Sequence, residues 1–199
     1  ATVEQVADAL ALSLQWWGPT SVVELLCRHL QESGFDLNAV QLATNPDYPH
    51  IGLDRAGAME FAVFGIMHSA LSYARHVAGL PPTLSEVQAV KAQTREELSW
   101  ANATWLASHT GARFDSKSLP KILHHHFHIM RTDEVNSPEV QNAVLQLTQF
   151  CIRQLGVSWS DSSQHGRDER ELTTLQLLVN GCWMDAVQWL AKECNAPLQ

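Results

Sequence analysis

Charge is what this chain has least of. Asp, Glu, Lys and Arg make up 17% of its 199 residues, where about a quarter is usual for a soluble protein. The charge present is one-sided, with 21 acids against 13 bases and a net charge of −8. No general field therefore draws the protein toward phosphate or an anionic membrane, and only a local basic groove would hold nucleic acid. Tyrosine is scarce as well, with two residues against seven tryptophans.

Other absences narrow the class. The cysteines Cys27, Cys151, Cys182 and Cys194 form no CxxC pair and keep no zinc-finger interval to a histidine. Cys27 and Cys151 sit in apolar surroundings ("ELLCRHL", "TQFCIRQL"), where a small buried thiol is expected. Cys182 and Cys194 fall in one expected helix, roughly 18 Å apart along its axis, too far to bond. All four read as free thiols, which points to the cytoplasm or another reducing compartment. The longest apolar window, Ala56 to Ala70, is interrupted by Glu60 and His68 and is too short to span a bilayer. The opening "ATVEQVADAL" has no basic n-region, so no signal peptide is expected in it. Nucleotide-binding glycine loops, G-x-S-x-G and HExxH are all missing.

What is present is helical from end to end. Thr2 with Gln5 forms a capping box ahead of Val3, Val6, Ala7, Leu10 and Leu14. "WGPTS" breaks that helix, and Ser21 with Glu24 restarts it. Gly34 stands where a left-handed end is wanted, and Asp36 caps a short third helix. A long helix is expected from Asp54 to about Val77. Gly57 and Gly65 within it cost up to about 1 kcal/mol each, which marks the close approach of another helix. Thr83 with Glu86 opens a helix to about Ser108, Ser118 caps the next, Ser137–Pro138–Glu139 starts another, and Gly156 stops it. Asp168 is expected to open a last helix running to "CNAP". No run alternates long enough to argue for a strand. The expectation is an all-α, single-domain bundle of about seven or eight helices over residues 1–199, with sub-lobes at 1–80 and 81–199 and no substantial β-sheet.

Two groups of histidines carry the candidate chemistry. In "LPKILHHHFHIM", His124 and His128 lie one turn apart on a shared face, the minimal arrangement for two ligands on one metal. His125 and His126 wind away from them, and His126 is expected half-buried near Leu123, Phe127 and Met130. Glu60, Phe64, His68, Ser72 and His76 step by four along the long helix with Arg75 beside them. Glu60, His68 and His76 are accordingly the nominees to complete a zinc or iron shell begun by His124 and His128. None of the histidines has a glutamate three residues before it, so the di-iron bundle pattern is missing. In "SHTGARFD", Arg113 and Asp115 are placed to pair across a turn or clamp neighbouring helices.

Surplus tryptophan together with depleted charge is the composition of a protein contact, and Trp16, Trp17, Trp159 and Trp189 are the nominated anchors. The sequence therefore favours a non-catalytic assembly or interaction subunit without a cofactor, associating with itself or a protein partner. One form of this class is the viral coat or nucleocapsid type, in which Arg75, Arg113, Arg131 and Arg153 would contact phosphate; the net charge weighs against nucleic acid, and no membrane contact is expected. The competing reading is a histidine-based, metal-dependent enzyme or a pH or metal sensor. An enzyme is expected to gather His68 and the His124–His128 run around one pocket away from tryptophan. An assembly protein is expected to separate them and expose tryptophan-lined surface.

Overall fold

The structure, a computed structural model, describes residues 1–39, 56–77, 82–130, 132–165 and 170–197. It is mostly helical, with one small hairpin. The helices are α1 (Val3–Gln15), α2 (Thr20–Glu32), α3 (Ala58–Val77), α4 (Pro82–His109), α5 (Ser118–Ile129), α6 (Thr132–Val135), α7 (Pro138–Arg153), α8 (Thr174–Asn180) and α9 (Met184–Glu193). A 3₁₀ turn covers Leu37–Ala39 after α2, and strands β1 (Ser162–His165) and β2 (Arg170–Thr173) pair antiparallel before α8. No helix among the described residues is long and apolar enough to cross a membrane.

Local sequence explains most of the helix ends. Thr2 and Gln5 close the expected capping box on α1, and the Ser137 hydroxyl accepts from the Val140 amide at the start of α7. Asp36 Oδ1 accepts from the Asn38 amide and sets the 3₁₀ turn. Gly34 and Gly156 take the left-handed conformation after their helices, with φ of 73° and 71°. At α2 the cap differs from expectation: Pro19 is the N-cap with no side-chain hydrogen bond, and Ser21 lies inside the helix. Ser118 likewise lies inside α5, after Lys117. The expected start at Asp54 lies outside the described residues, as do the Thr83 and Glu86 side chains.

α3 is the organising element. From Ala56 to Ser72 every residue is buried except His68, which is partly exposed. A helix apolar on all sides belongs in the middle, and α3 packs against α1, α4, α5 and α7. Gly65 permits the α1 contact: a Cβ there would overlap the Leu14 carbonyl oxygen. The close approach expected from that glycine is therefore present, and α1 is the neighbour. One apolar cluster joins Val6, Leu10 and Leu14 of α1 to α3 and onward to Val187 and Leu190 of α9.

The last expected helix differs most. Residues 162–165 and 170–173 form the hairpin, and the remainder divides into α8 and α9. Thr173 and Gln176 make a capping box that starts α8. The break follows from burying one tryptophan. The Trp183 indole is fully buried, and Gly181 lies so close that a Cβ would meet its ring atoms at 2.7 to 2.9 Å. Cys182 between them takes φ of 54°, turning the chain so that α9 packs back on α7 and α8.

Candidate functional site

The site begins at the end of α1. Trp16 caps the helix, its amide donating to the Leu12 carbonyl, and the Gly18 amide donates back to the Ser13 carbonyl at 2.6 Å. This closure requires a left-handed residue between them, a place usually taken by glycine. Here it is Trp17, with φ of 61°. A non-glycine residue in that conformation costs on the order of 1 kcal/mol. Gly18 has no room for a side chain, since its Cβ would lie 2.8 Å from that of Ser13. The Gly18 carbonyl is held by the Asn102 side-chain amide at 2.9 Å.

The strained corner sends the Trp17 indole across α3. Its Nε1 donates to the Gly65 carbonyl at 3.3 Å, which also accepts from the Ser99 hydroxyl at 3.4 Å. The indole stacks on His68 with centroids 5.6 Å apart and an interplanar angle of 21°. The Arg95 guanidinium lies 4.5 Å from the Trp17 ring centroid and donates to the Ser72 hydroxyl at 3.1 Å. Trp16 meets His68 edge-on at 5.0 Å and Trp17 at 5.8 Å. Phe64 stacks on His68 at 6.0 Å. Three aromatic rings thus surround one imidazole, and a guanidinium lies against the outermost stack. Electron-rich ring faces next to a cation are mutually favourable.

Phe64 also reaches the second histidine group, with His125 at 5.5 Å and His126 at 4.8 Å. His126 is fully buried rather than half-buried. Its Nδ1 lies 2.8 Å from the Ile122 carbonyl. A carbonyl oxygen only accepts, so Nδ1 carries the hydrogen. His124 and His128 lie apart from this packing. Their Nε2 atoms are 2.8 Å from each other on an exposed face of α5.

Glu60 is buried at the start of α3, where Oε2 accepts from the Gly57 amide at 2.9 Å and Oε1 from the Asp115 amide at 2.6 Å. Burial pushes its carboxyl above the ordinary glutamate value, the two amides oppose that shift, and Asp115 adds to it. Asn38 performs a similar task, its Oδ1 accepting from the Arg113 amide at 2.7 Å. Arg113 and Asp115 are therefore held by their backbones to the 3₁₀ turn and α3. Among the described residues no group of three or more His, Cys, Asp or Glu is placed to hold a metal ion. The side chains of His76 and Arg75, and Arg131, lie outside the described residues.

The nominated tryptophans separate by burial. Trp16 is 40% exposed, with Leu12 one turn before it at 47%. Trp17, Trp159 and Trp189 are half-buried, the last two packed against the core. Arg153 is exposed and lies 5.0 Å from the Trp189 ring centroid, and Arg113 is exposed as well. His68 and the His125–His126 pair share Phe64, yet His68 also sits against two tryptophans. The arrangement falls between the two expected patterns.

Arg95, Ser72 and Asn102 complete the site, and only Ser72 drew notice in sequence, as part of the α3 stripe. Asn102 is fully buried in the last third of α4; a polar residue on a buried helical face is the one signal that could have marked it. Arg95 gave none, because its partners lie 78 and 23 residues away, at Trp17 and Ser72. All four cysteines are free thiols, Cys27 and Cys151 buried and Cys182 exposed. Burial pushes the Cys27 thiol up to about 12 and the Cys151 thiol higher still. No protein-family model, no curated protein and no solved structure matches this chain.

Proposed function

We propose that the protein is a non-catalytic interaction subunit that associates with copies of itself, or with a protein partner, through the surface around Trp16. The observation that carries this reading is the exposed Leu12–Trp16 edge of α1, set beside Trp17, His68 and Arg95. Large rings near a guanidinium, held by a strained corner, are the composition and rigidity of an interface anchor. Val22 and Leu25 of α2 are also exposed, Leu25 at 64%, and the low charge of the chain reduces the desolvation cost of covering such a surface. The glutamate that a metal enzyme would use instead accepts from two backbone amides. Free thiols agree with a reducing compartment.

The coat or nucleocapsid form of this reading would use Arg113 and Arg153, the latter over Trp189 as a stacking platform for a base. An ultraviolet absorbance ratio raised above that of protein alone, and lost at high salt, would identify it.

Size-exclusion chromatography with light scattering tests the main reading. The expected result is a mass that rises with concentration above that of one chain, and that falls back in Trp16→Ser combined with Leu12→Gln. A single-chain mass at the highest attainable concentration, unchanged by the variant and by candidate partners, would refute it.

A further inference from the structure

The geometry points to His124 and His128 as a two-imidazole chelating site for a borderline divalent transition metal ion, copper(II) or nickel(II) in preference to zinc. The site is independent of the surface around Trp16 and gives the chain a metal-binding function without a catalytic one.

The first support is distance. The two Nε2 atoms lie 2.8 Å apart. Two nitrogens each about 2.0 Å from a shared ion subtend close to 90° at that separation, whereas a tetrahedral angle would require about 3.3 Å. Right angles between neighbouring ligands belong to square-planar and octahedral ions, and tetrahedral ones to structural zinc. The present contact joins the rings through one hydrogen, with one Nε2 donating and the other accepting. When the donor ring shifts to the tautomer that carries its hydrogen on Nδ1, both Nε2 atoms present a lone pair and the pair can chelate one ion without net proton release. The ring planes stand 76° apart with centroids at 4.2 Å, so a modest rotation of either ring brings both lone pairs onto one point.

The second support is rigidity. On the opposite face of α5, Leu119, Ile122, Leu123 and His126 are all fully buried, so the helix that carries the pair is anchored. Both rings therefore meet an ion with little ordering left to do, the condition under which the second ligand adds most to affinity. The third support is placement. His128 lies in the last turn of α5, where the helix dipole favours a cation.

One group opposes binding. Lys121 is one turn before His124 and two before His128 on the same helical face. No third ligand comes from the described residues. The pair would hold an ion at an exposed face of α5.

The test is calorimetric titration of the tag-free chain with copper(II), nickel(II) and zinc(II) chlorides, with electron paramagnetic resonance of the copper form. The expected result is one ion per chain, copper bound tightest and zinc weaker than nickel, with two imidazole nitrogens in the copper spectrum. His124→Ala and His128→Ala each reduce affinity roughly tenfold to a hundredfold and leave one nitrogen. His125→Ala, a ring packed against Phe64, changes neither. Lys121→Gln strengthens binding by about threefold at low salt. Circular dichroism of the variants is expected to match the parent, since the pair is at the surface. A copper spectrum that keeps both nitrogens in His128→Ala, or affinity equal in the parent and both variants, would overturn the assignment. So would the absence of binding at millimolar metal.

Discussion

Trp183 and Trp16 are the same residue type put to opposite uses. Trp183 is fully enclosed where α8 turns into α9, and the chain gives up a continuous helix and a side chain at Gly181 to accommodate it. Trp16 keeps 40% of its surface in solvent at the end of α1, beside an imidazole, and its neighbour Trp17 holds a backbone conformation that a glycine would adopt more cheaply. Around Trp183 the backbone bends so that a ring can be removed from water. Around Trp17 the backbone bends and a ring remains half-exposed. The first bend serves burial, whereas the second sets a half-buried ring against His68 and the Gly65 carbonyl beside an exposed neighbour.

The largest expected effect is on the Trp183 side. Trp183→Ala should destabilise the fold by about 3–5 kcal/mol, as truncation of a fully buried ring does, and leave any association through α1 intact once the protein is folded. Urea denaturation paired with light scattering checks both. If Trp183→Ala dispersed an assembly without loss of stability, the contrast between the two tryptophans would be wrong. Gly65→Ala comes next, at about 3 kcal/mol, toward the upper end for overpacking, because the added methyl meets the Leu14 backbone and no flexible side chain can yield. It should also disturb the Trp17–His68 stack that hangs from the Gly65 carbonyl, visible as a change in near-ultraviolet circular dichroism.

Glu60 sharpens the comparison through pH. Its folded-state value is raised, so the fold holds the proton more tightly than the unfolded chain does. The sign follows: stability contributed by the protonated form is present below the ordinary value of 4.5 and is lost as pH rises through the folded one. Glu60→Gln cannot titrate. The stability of the parent relative to Glu60→Gln is therefore expected to fall from pH 4.5 upward and to level off once the pH has passed the folded-state value. A flat difference would mean that the amide hydrogen bonds balance burial, and a rising one that they outweigh it.

Thiol chemistry gives a smaller, purely kinetic contrast. At pH 8, Cys182 should react promptly with a maleimide, while Cys27 and Cys151 wait for unfolding, being buried with raised thiol values. Peptide mapping of the labelled protein reads this directly.

What sequence reasoning recovers here is what local chemistry decides. The Thr2–Gln5 and Ser137 caps, the left-handed glycines 34 and 156, and the packing meaning of Gly65 all rest on neighbours within a few residues, or on one missing Cβ. The break at Gly181 runs against the single last helix expected from Asp168, and its cause is an indole that packs back onto that glycine. Thr173 and Gln176 spell a capping box, which the longer periodic pattern through residues 168–194 concealed. The candidate site was legible as a residue set and not as an arrangement. Trp16, Trp17 and His68 were named from composition and spacing, but their meeting depends on contacts across about 50 residues, and Arg95 across 78. Glu60 resembled a ligand in sequence because nothing nearby reveals that the Asp115 amide, 55 residues on, reaches its carboxylate.

The smallest effect on stability is expected at Trp16, where Trp16→Phe should change the unfolding free energy by less than about 1 kcal/mol, and there the functional reading is tested most directly. Acrylamide quenching of tryptophan emission, measured for the parent and Trp16→Phe at low and at high protein concentration, reports whether that ring is covered by another chain. The account predicts that the parent is the more quenchable of the two when dilute, and that the difference vanishes on concentration. A difference that persists undiminished at high concentration, in a protein whose mass stays that of one chain, would contradict it.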